Sequence, residues 1–293
     1  EKWDGWKTGL SPNWEPVLLG AKEGGPDIRP GATRAVWLTR KPMKTSVVQN
    51  TLDHGCGGLN IGATRIGTDD ITINRWSDGA KVFGGGSGHP FHAVKVKGRW
   101  PKNVMLLHSD ECEVAGTKSV RSGTAVRHRS GGRNVHSEVQ KPTMADMSYP
   151  GEDGMERMVE WDCEAICPVP RLGEPARFFF QALGVRWGLP EAIWTFLRTL
   201  VCHPEGKCVM FSEDQRDRDK FWNVRIEDES VHAIIYEGTP PDADVEEFMR
   251  VLKPGGHLVV ISPEEELTGH TAACRVEDEG FEIRDSILLL DES

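Results

Sequence analysis

Two pairs of soft donors stand out in this 293-residue chain: His108 with Cys112, and Cys163 with Cys167. One imidazole and three thiols form a donor set that suits a structural zinc ion. The three-residue gaps within each pair are looser than the two-residue gaps of many such sites. The alternative is free, buried cysteines and a surface histidine. Zinc would explain how the polar stretch 116–154, rich in Gly and Ser, stays folded without an apolar core of its own. Trp100 and Trp161 flank the pairs and read as packing residues. Within the polar stretch, Lys118, Arg121, Arg127, Arg129 and Arg133 carry positive charge with no acid between them. That pattern fits a flexible arm following DNA phosphates, or a solvated loop.

Charge separates the chain into two parts. Residues 1–183 hold 24 Lys+Arg against 21 Asp+Glu, a net of +3; residues 184–293 hold 11 against 24, a net of −13. Phosphate contacts dominate DNA affinity, so the first part is the candidate DNA-facing surface. The acidic part reads as a solvated face, or as a surface for a protein partner or a second copy. Seven cysteines, an odd number, argue against a disulfide framework. With no apolar run of membrane-spanning length and no export signal at the start, the expected compartment is the cytoplasm.

The elements that must position these residues are clearest at 244–290. Val245, Phe248, Met249 and Leu252 recur at helical spacing, and Lys253-Pro254-Gly255-Gly256 reads as the end of that helix. An apolar strand, 257–261, a second helix, 271–278, with Gly280 after it, and a strand over 281–290 follow. Helices alternating with strands across short links predict a largely parallel sheet. Residues 188–200 predict an amphipathic helix with Ile193, Phe196, Leu197 and Leu200 on its buried stripe. Strands are expected over 176–183, 206–211 and 231–236, and a short helix over 47–52.

The wording of these segments resembles that of phage and bacterial S-adenosylmethionine-dependent DNA methyltransferases acting on exocyclic amino groups. FMRVLKPGGHLVV followed by VEDEGFEIRDSI is similar to their fourth-to-fifth-strand region. WEPVLL near the start, VWLTRKPMK, HGCGGLNIGATRI, GRWPKNV and ARFFFQAL resemble further phrases of the family. The resemblance implies an α/β fold: a Rossmann-like methyltransferase sheet built from 1–66 and 177–293, with an irregular target-recognition insert at 67–176. It also implies S-adenosylmethionine as cofactor, double-stranded DNA as substrate, adenine N6 or cytosine N4 as acceptor, and a phage or bacterial setting. Arg99, in the GRWPKNV phrase, joins the DNA-contact candidates. Compared with most phage relatives the segment order is circularly permuted, which compact folds with adjacent termini tolerate.

Amino methylation of this type needs a glycine turn after the first strand and an acidic-or-amide residue, two prolines and an aromatic after the fourth. The cofactor position here is Phe211-Ser212-Glu213-Asp214, without a glycine, and its two acids would crowd a carboxylate-bearing ligand. The catalytic position is Thr239-Pro240-Pro241-Asp242. Thr239 replaces the acid or amide and can still accept a hydrogen bond. Asp242 replaces the aromatic and has no face on which a flipped base could stack. The competing reading is a proline turn between strand and helix, with Asp242 or Asp244 as N-cap. Two functions follow from the resemblance: an active DNA amino-methyltransferase, or an inactive relative serving as a DNA-binding or scaffolding subunit.

Overall fold

The structure, a computed structural model, describes residues 2–3, 6–7, 33–75, 92–121, 155–167, 169–184, 189–212, 226–262 and 270–290. The chain divides into two units. The first holds residues 1–65, 100–113 and 162–293; the second holds 66–99 and 114–161. Of the expected 67–176 insert, residues 100–113 and 162–176 therefore lie in the first unit.

The first unit is mixed α/β, built on a seven-stranded sheet. Its strands are β1 (Thr33–Arg40), β4 (Val104–His108), β7 (Phe180–Leu183), β8 (Cys208–Ser212), β9 (Val231–Glu237), β10 (Leu252–Ile261) and β11 (Glu282–Leu290). Their spatial order is β7-β4-β11-β1-β10-β9-β8. Neighbours pair in parallel except at β1, which runs antiparallel to both β10 and β11. Six strands thus end at one edge of the sheet.

The helices follow from this topology. From β8 through β9 and β10 to β11 the chain steps steadily one way across the sheet. Right-handed crossovers then put α3 (Asp242–Val251) and α4 (His270–Asp278) on one face. The link from β7 back to β8 runs the opposite way, so the same rule puts its helix, α2 (Glu191–Val201), on the other face. The core agrees. Ile193, Phe196, Leu197 and Leu200 of α2 pack with Val36, Ile235, Val259 and Leu289, whereas Val245, Phe248 and Val276 pack with Ile234, Tyr236 and Val260. Neighbouring residues of β9 and β10 thus feed opposite cores, which is why both strands read as unbroken apolar runs.

Several local expectations change. Lys253-Pro254-Gly255-Gly256 does not cap α3, because Leu252 leaves the helix in extended conformation. The four residues instead bulge β10, whose pairing with β9 jumps from Leu252 to His257. The bulge seats α1 (Val47–His54): Asn50 Nδ2 donates to the Pro254 carbonyl at 2.8 Å, and a Cβ on Gly255 (φ 75°) would collide with that amide. Over 176–183, residues Glu174–Phe178 form a 3-10 turn and only Phe180–Leu183 extend as strand.

The second unit contains two two-stranded ribbons, except for Glu113 and Asp162 at the ends of the second. One pairs β2 (Ile66–Arg75) with β3 (His92–Arg99) in antiparallel register; the other joins β5 (Glu113–Arg121) to β6 (Met155–Asp162). Arg99 clamps Glu156 through both guanidinium nitrogens, and Asp69 accepts from the Arg157 backbone N–H at 2.5 Å and from its Nε at 3.0 Å. No helix among the described residues is long and apolar enough to cross a membrane.

Candidate metal centre

All four soft donors converge in the first unit. His108 is the last residue of β4, and Cys112 immediately precedes β5. Cys163 immediately follows β6, and Cys167 lies four residues on. Each pair is closed by a tight turn: Cys112 N–H donates to Ser109 O at 3.1 Å and Cys167 N–H to Glu164 O at 3.2 Å. A three-residue gap thus suffices, because the turn folds the second donor back over the first.

His108 Nδ1, Cys112 Sγ, Cys163 Sγ and Cys167 Sγ can all be chosen within 4.8 Å of one another. Nδ1 lies 3.3 Å from the Cys163 sulfur and 3.6 Å from the Cys167 sulfur. A tetrahedral zinc with its usual bond lengths implies donor–donor edges of roughly 3.5–3.8 Å. The cluster can therefore hold a metal ion, and it is compatible with zinc. His108, Cys112 and Cys167 are buried and Cys163 half-buried, so the site is closed, as a structural metal requires.

The surroundings fix which nitrogen faces the metal. Gln181 Nε2 donates to Ala176 O at 2.7 Å, so its Oε1 is the acceptor turned toward His108 Nε2, 3.1 Å away. The imidazole proton then sits on Nε2, and Nδ1 offers its lone pair to the cluster. The His108 carbonyl accepts from Gly184 N–H at 2.6 Å, and any side chain at Gly184 would collide with that oxygen. Burial pushes the Cys163 thiol up to about 12 and raises the Cys112 thiol, partly opposed by a hydrogen bond from the Glu164 backbone. Burial also lowers the His108 pKa, partly opposed by Gln181. A dication reverses this for the thiols, because it favours thiolates over thiols. Gln181→Leu is expected to weaken zinc binding about 10–100-fold, read by competition with a chromophoric chelator. Unchanged affinity would remove Gln181 from the centre.

Neither Gln181 nor Gly184 was among the candidates. The signal was present: Gln181 is the lone polar side chain in the run FFFQAL.

The other candidates are not brought together in this way. Arg99 is engaged with Glu156, which is 5% exposed, in a part-buried pair. Lys118 faces Glu160 at 3.5 Å on the exposed surface of the β5–β6 ribbon. Arg121 ends β5, and Arg127, Arg129 and Arg133 lie outside the described residues.

Phe211 and Ser212 end β8, beside Tyr236 and Glu237 in register; Glu213 and Asp214 lie outside the described residues. Thr239 is half-buried and Pro240 buried. The N-cap position of α3 is Pro241, with no side-chain cap bond, so neither Asp242 nor Asp244 caps the helix. A proline already holds φ near −63° and has no N–H to satisfy, which suits it to the helix entry. Asp242 is the first helical residue. It faces Arg275 of α4 at 3.8 Å, and Arg275 also donates to the Pro240 carbonyl at 3.3 Å.

One buried polar tie stands at the strand ends. Arg34, on β1, donates from Nη2 to Glu237 Oε1 at 2.6 Å and from Nε to the Ser262 carbonyl at 3.0 Å. Ser262 Oγ accepts the Ala35 backbone N–H at 2.8 Å. No family model, curated protein or solved structure matches this chain.

Proposed function

We propose that the protein is a zinc-bearing, methyltransferase-like DNA-binding subunit that does not itself transfer methyl groups. The observation that carries this reading is the Arg34–Glu237–Ser262 tie. In open sheets of parallel strands, ligands sit beyond the carboxyl ends of the strands. Glu237 ends β9 there, with Ser212 of β8 and Ile261 of β10 as its register neighbours. A Rossmann-like site would place its cofactor loop after β8 and its catalytic turn after β9. Here the end of β9 is held by a part-buried ion pair, the turn leads straight into α3, and Asp242 turns to Arg275. The loop after Ser212 has no glycine to let the backbone approach S-adenosylmethionine. The parallel run β8-β9-β10, with α3 between β9 and β10, supports a retained methyltransferase-like scaffold.

DNA binding rests on the basic first part and on the Arg127–Arg133 stretch, within a polar segment whose two ends carry the metal ligands. The second reading, an active amino-methyltransferase, is favoured by Thr239-Pro240-Pro241, which keeps a hydroxyl and both prolines at the catalytic position.

Calorimetry with S-adenosylmethionine and a gel shift with duplex DNA at increasing salt separate the two. The expected result is no binding heat and a retarded duplex whose affinity falls linearly on a log–log salt plot. Replacing Arg127 and Arg129 with alanine is expected to reduce that slope by about two. Micromolar cofactor binding with methylated duplex would establish the active reading. A duplex that is never retarded would overturn DNA binding.

A further inference from the structure

At the amino edge of the sheet, away from the Arg34–Glu237 tie, two hydrogen-bond donors face each other. His232 is the second residue of β9 and Lys253 the second of β10. The Lys207 backbone N–H donates to His232 Nδ1 at 3.0 Å, so the ring proton is on Nε2. That nitrogen lies 3.1 Å from Lys253 Nζ. An imidazole N–H and a lysine ammonium both donate, so the pair lacks an acceptor between them. Lys253 also donates to the His54 carbonyl, 3.4 Å away at the end of α1, which holds the ammonium in place. Burial lowers the His232 pKa, and the charged groups acting on it, Lys253, His203 and Lys2, are all basic. The ring therefore stays neutral at neutral pH, with its Nε2 donor intact.

An apolar cleft opens beside this pair. Trp3 and Trp6 meet edge to face with ring centroids 5.2 Å apart, and Trp3 also packs on His203. Lys7 and Leu59 exchange backbone hydrogen bonds of 2.7 and 2.6 Å, which tie the indoles to the loop after α1. Between the indoles and α1 lies a cleft of about 170 Å³, with Val48 and Leu52 on its helix side. These two residues, one helical turn apart, are 73% and 64% exposed, so the apolar wall is open to solvent. Gly55 joins cleft and donor pair. A Cβ there would stand 3.4 Å from His232 Nε2 and 3.8 Å from the Trp3 indole. Its φ of 76° is the left-handed cap of α1, so glycine both ends the helix and leaves the gap unfilled.

We propose that this edge is a nucleotide site, with a phosphate oxygen between His232 Nε2 and Lys253 Nζ and the base in the Trp3–Trp6 cleft. A phosphate supplies the acceptor that the facing donors lack, in charge-assisted hydrogen bonds. Indole walls accept the face of any base. Of the exposed cations beside the indoles, Lys2 is tied to Glu205 at 2.8 Å, whereas Lys7 lines the cleft itself. A free mononucleotide and a DNA strand offer the same phosphate and base. The site rests on the donor pair and the cleft, and not on the DNA-binding reading of the Arg127–Arg133 stretch.

Calorimetry on the full-length, metal-loaded chain tests this with deoxyadenosine 5′-monophosphate, deoxyadenosine and inorganic phosphate as probes. The monophosphate is expected to bind about tenfold or more tighter than either part alone. His232→Asn keeps an acceptor for the Lys207 N–H and removes the Nε2 donor. Lys253→Met keeps the aliphatic stem and removes the charge. Each should weaken the monophosphate about tenfold or more. Leu52→Glu, at an exposed position that leaves the fold intact, should also weaken it by placing negative charge at the cleft. No heat with the monophosphate overturns the proposal. So does equal affinity for monophosphate and nucleoside, or wild-type affinity in both donor variants. A 5′-phosphorylated oligodeoxyadenylate that displaces the monophosphate identifies a DNA strand as the source of the ligand; one that does not identifies a free nucleotide, and the site stands either way. Duplex DNA that is never retarded would remove the DNA-binding reading and leave the monophosphate heats unchanged.

Discussion

Stripping the metal with a strong chelator at neutral pH is expected to lower the melting temperature by about 10 °C or more. A bound metal would tie together the two turns that hold Cys112 and Cys167, at the end of β4 and the chain beyond β6. Structural zinc sites contribute apparent binding energies of about 10 kcal/mol, all of it available to folding when the apo site is not preformed. Even half of that, at roughly 2–4 °C per kcal/mol for a domain of this size, gives about 10–20 °C. Cys163→Ser and Cys112→Ser should lose most of this stabilisation even with zinc present, because each leaves three donors in a closed pocket. Burial holds the Cys112 and Cys163 thiols protonated without metal, so both must release a proton when zinc binds. Affinity therefore weakens as pH falls toward 6. Calorimetric scans with and without chelator check the main effect, and overlapping traces would count against the centre.

The second large effect is at the strand ends. Arg34→Met is expected to cost about 3–5 kcal/mol, because it leaves Glu237 charged in a site with little water. With side-chain exposures of 6% for Arg34 and 17% for Glu237, the arginine is buried and the carboxylate largely shielded from water. Removing both charges is a different change: the Arg34→Met, Glu237→Leu double variant should recover most of the loss. Urea unfolding of the three proteins measures the cycle. A single variant that loses less than about 1 kcal/mol would show that the pair is not what closes this edge.

The sequence carried some of this and hid the rest for identifiable reasons. The apolar stripe Ile193, Phe196, Leu197 and Leu200 announced α2, and all four residues are buried in one core cluster. The strands around Val231–Tyr236 and His257–Ile261 were legible as unbroken apolar runs. Their parallel pairing followed from the helix between them.

The direction of β1 was not legible. An apolar run reads the same both ways, and only its neighbours β10 and β11 decide that it runs antiparallel. The Gly255-Gly256 pair looked like a helix stop. Its use depends on Asn50, about 200 residues earlier, coming close enough to need a missing side chain. Arg99 looked like a free cation because Glu156 is far away in the sequence. The metal donors were legible by type, but not Gln181, whose role depends on β4 and β7 lying side by side.

X-ray absorption at the zinc edge of the purified full-length protein tests the centre most directly. One zinc per chain is expected, with three sulfurs at about 2.3 Å and one nitrogen at about 2.0 Å. A protein purified without zinc, or a shell made of oxygen and nitrogen alone, would contradict it.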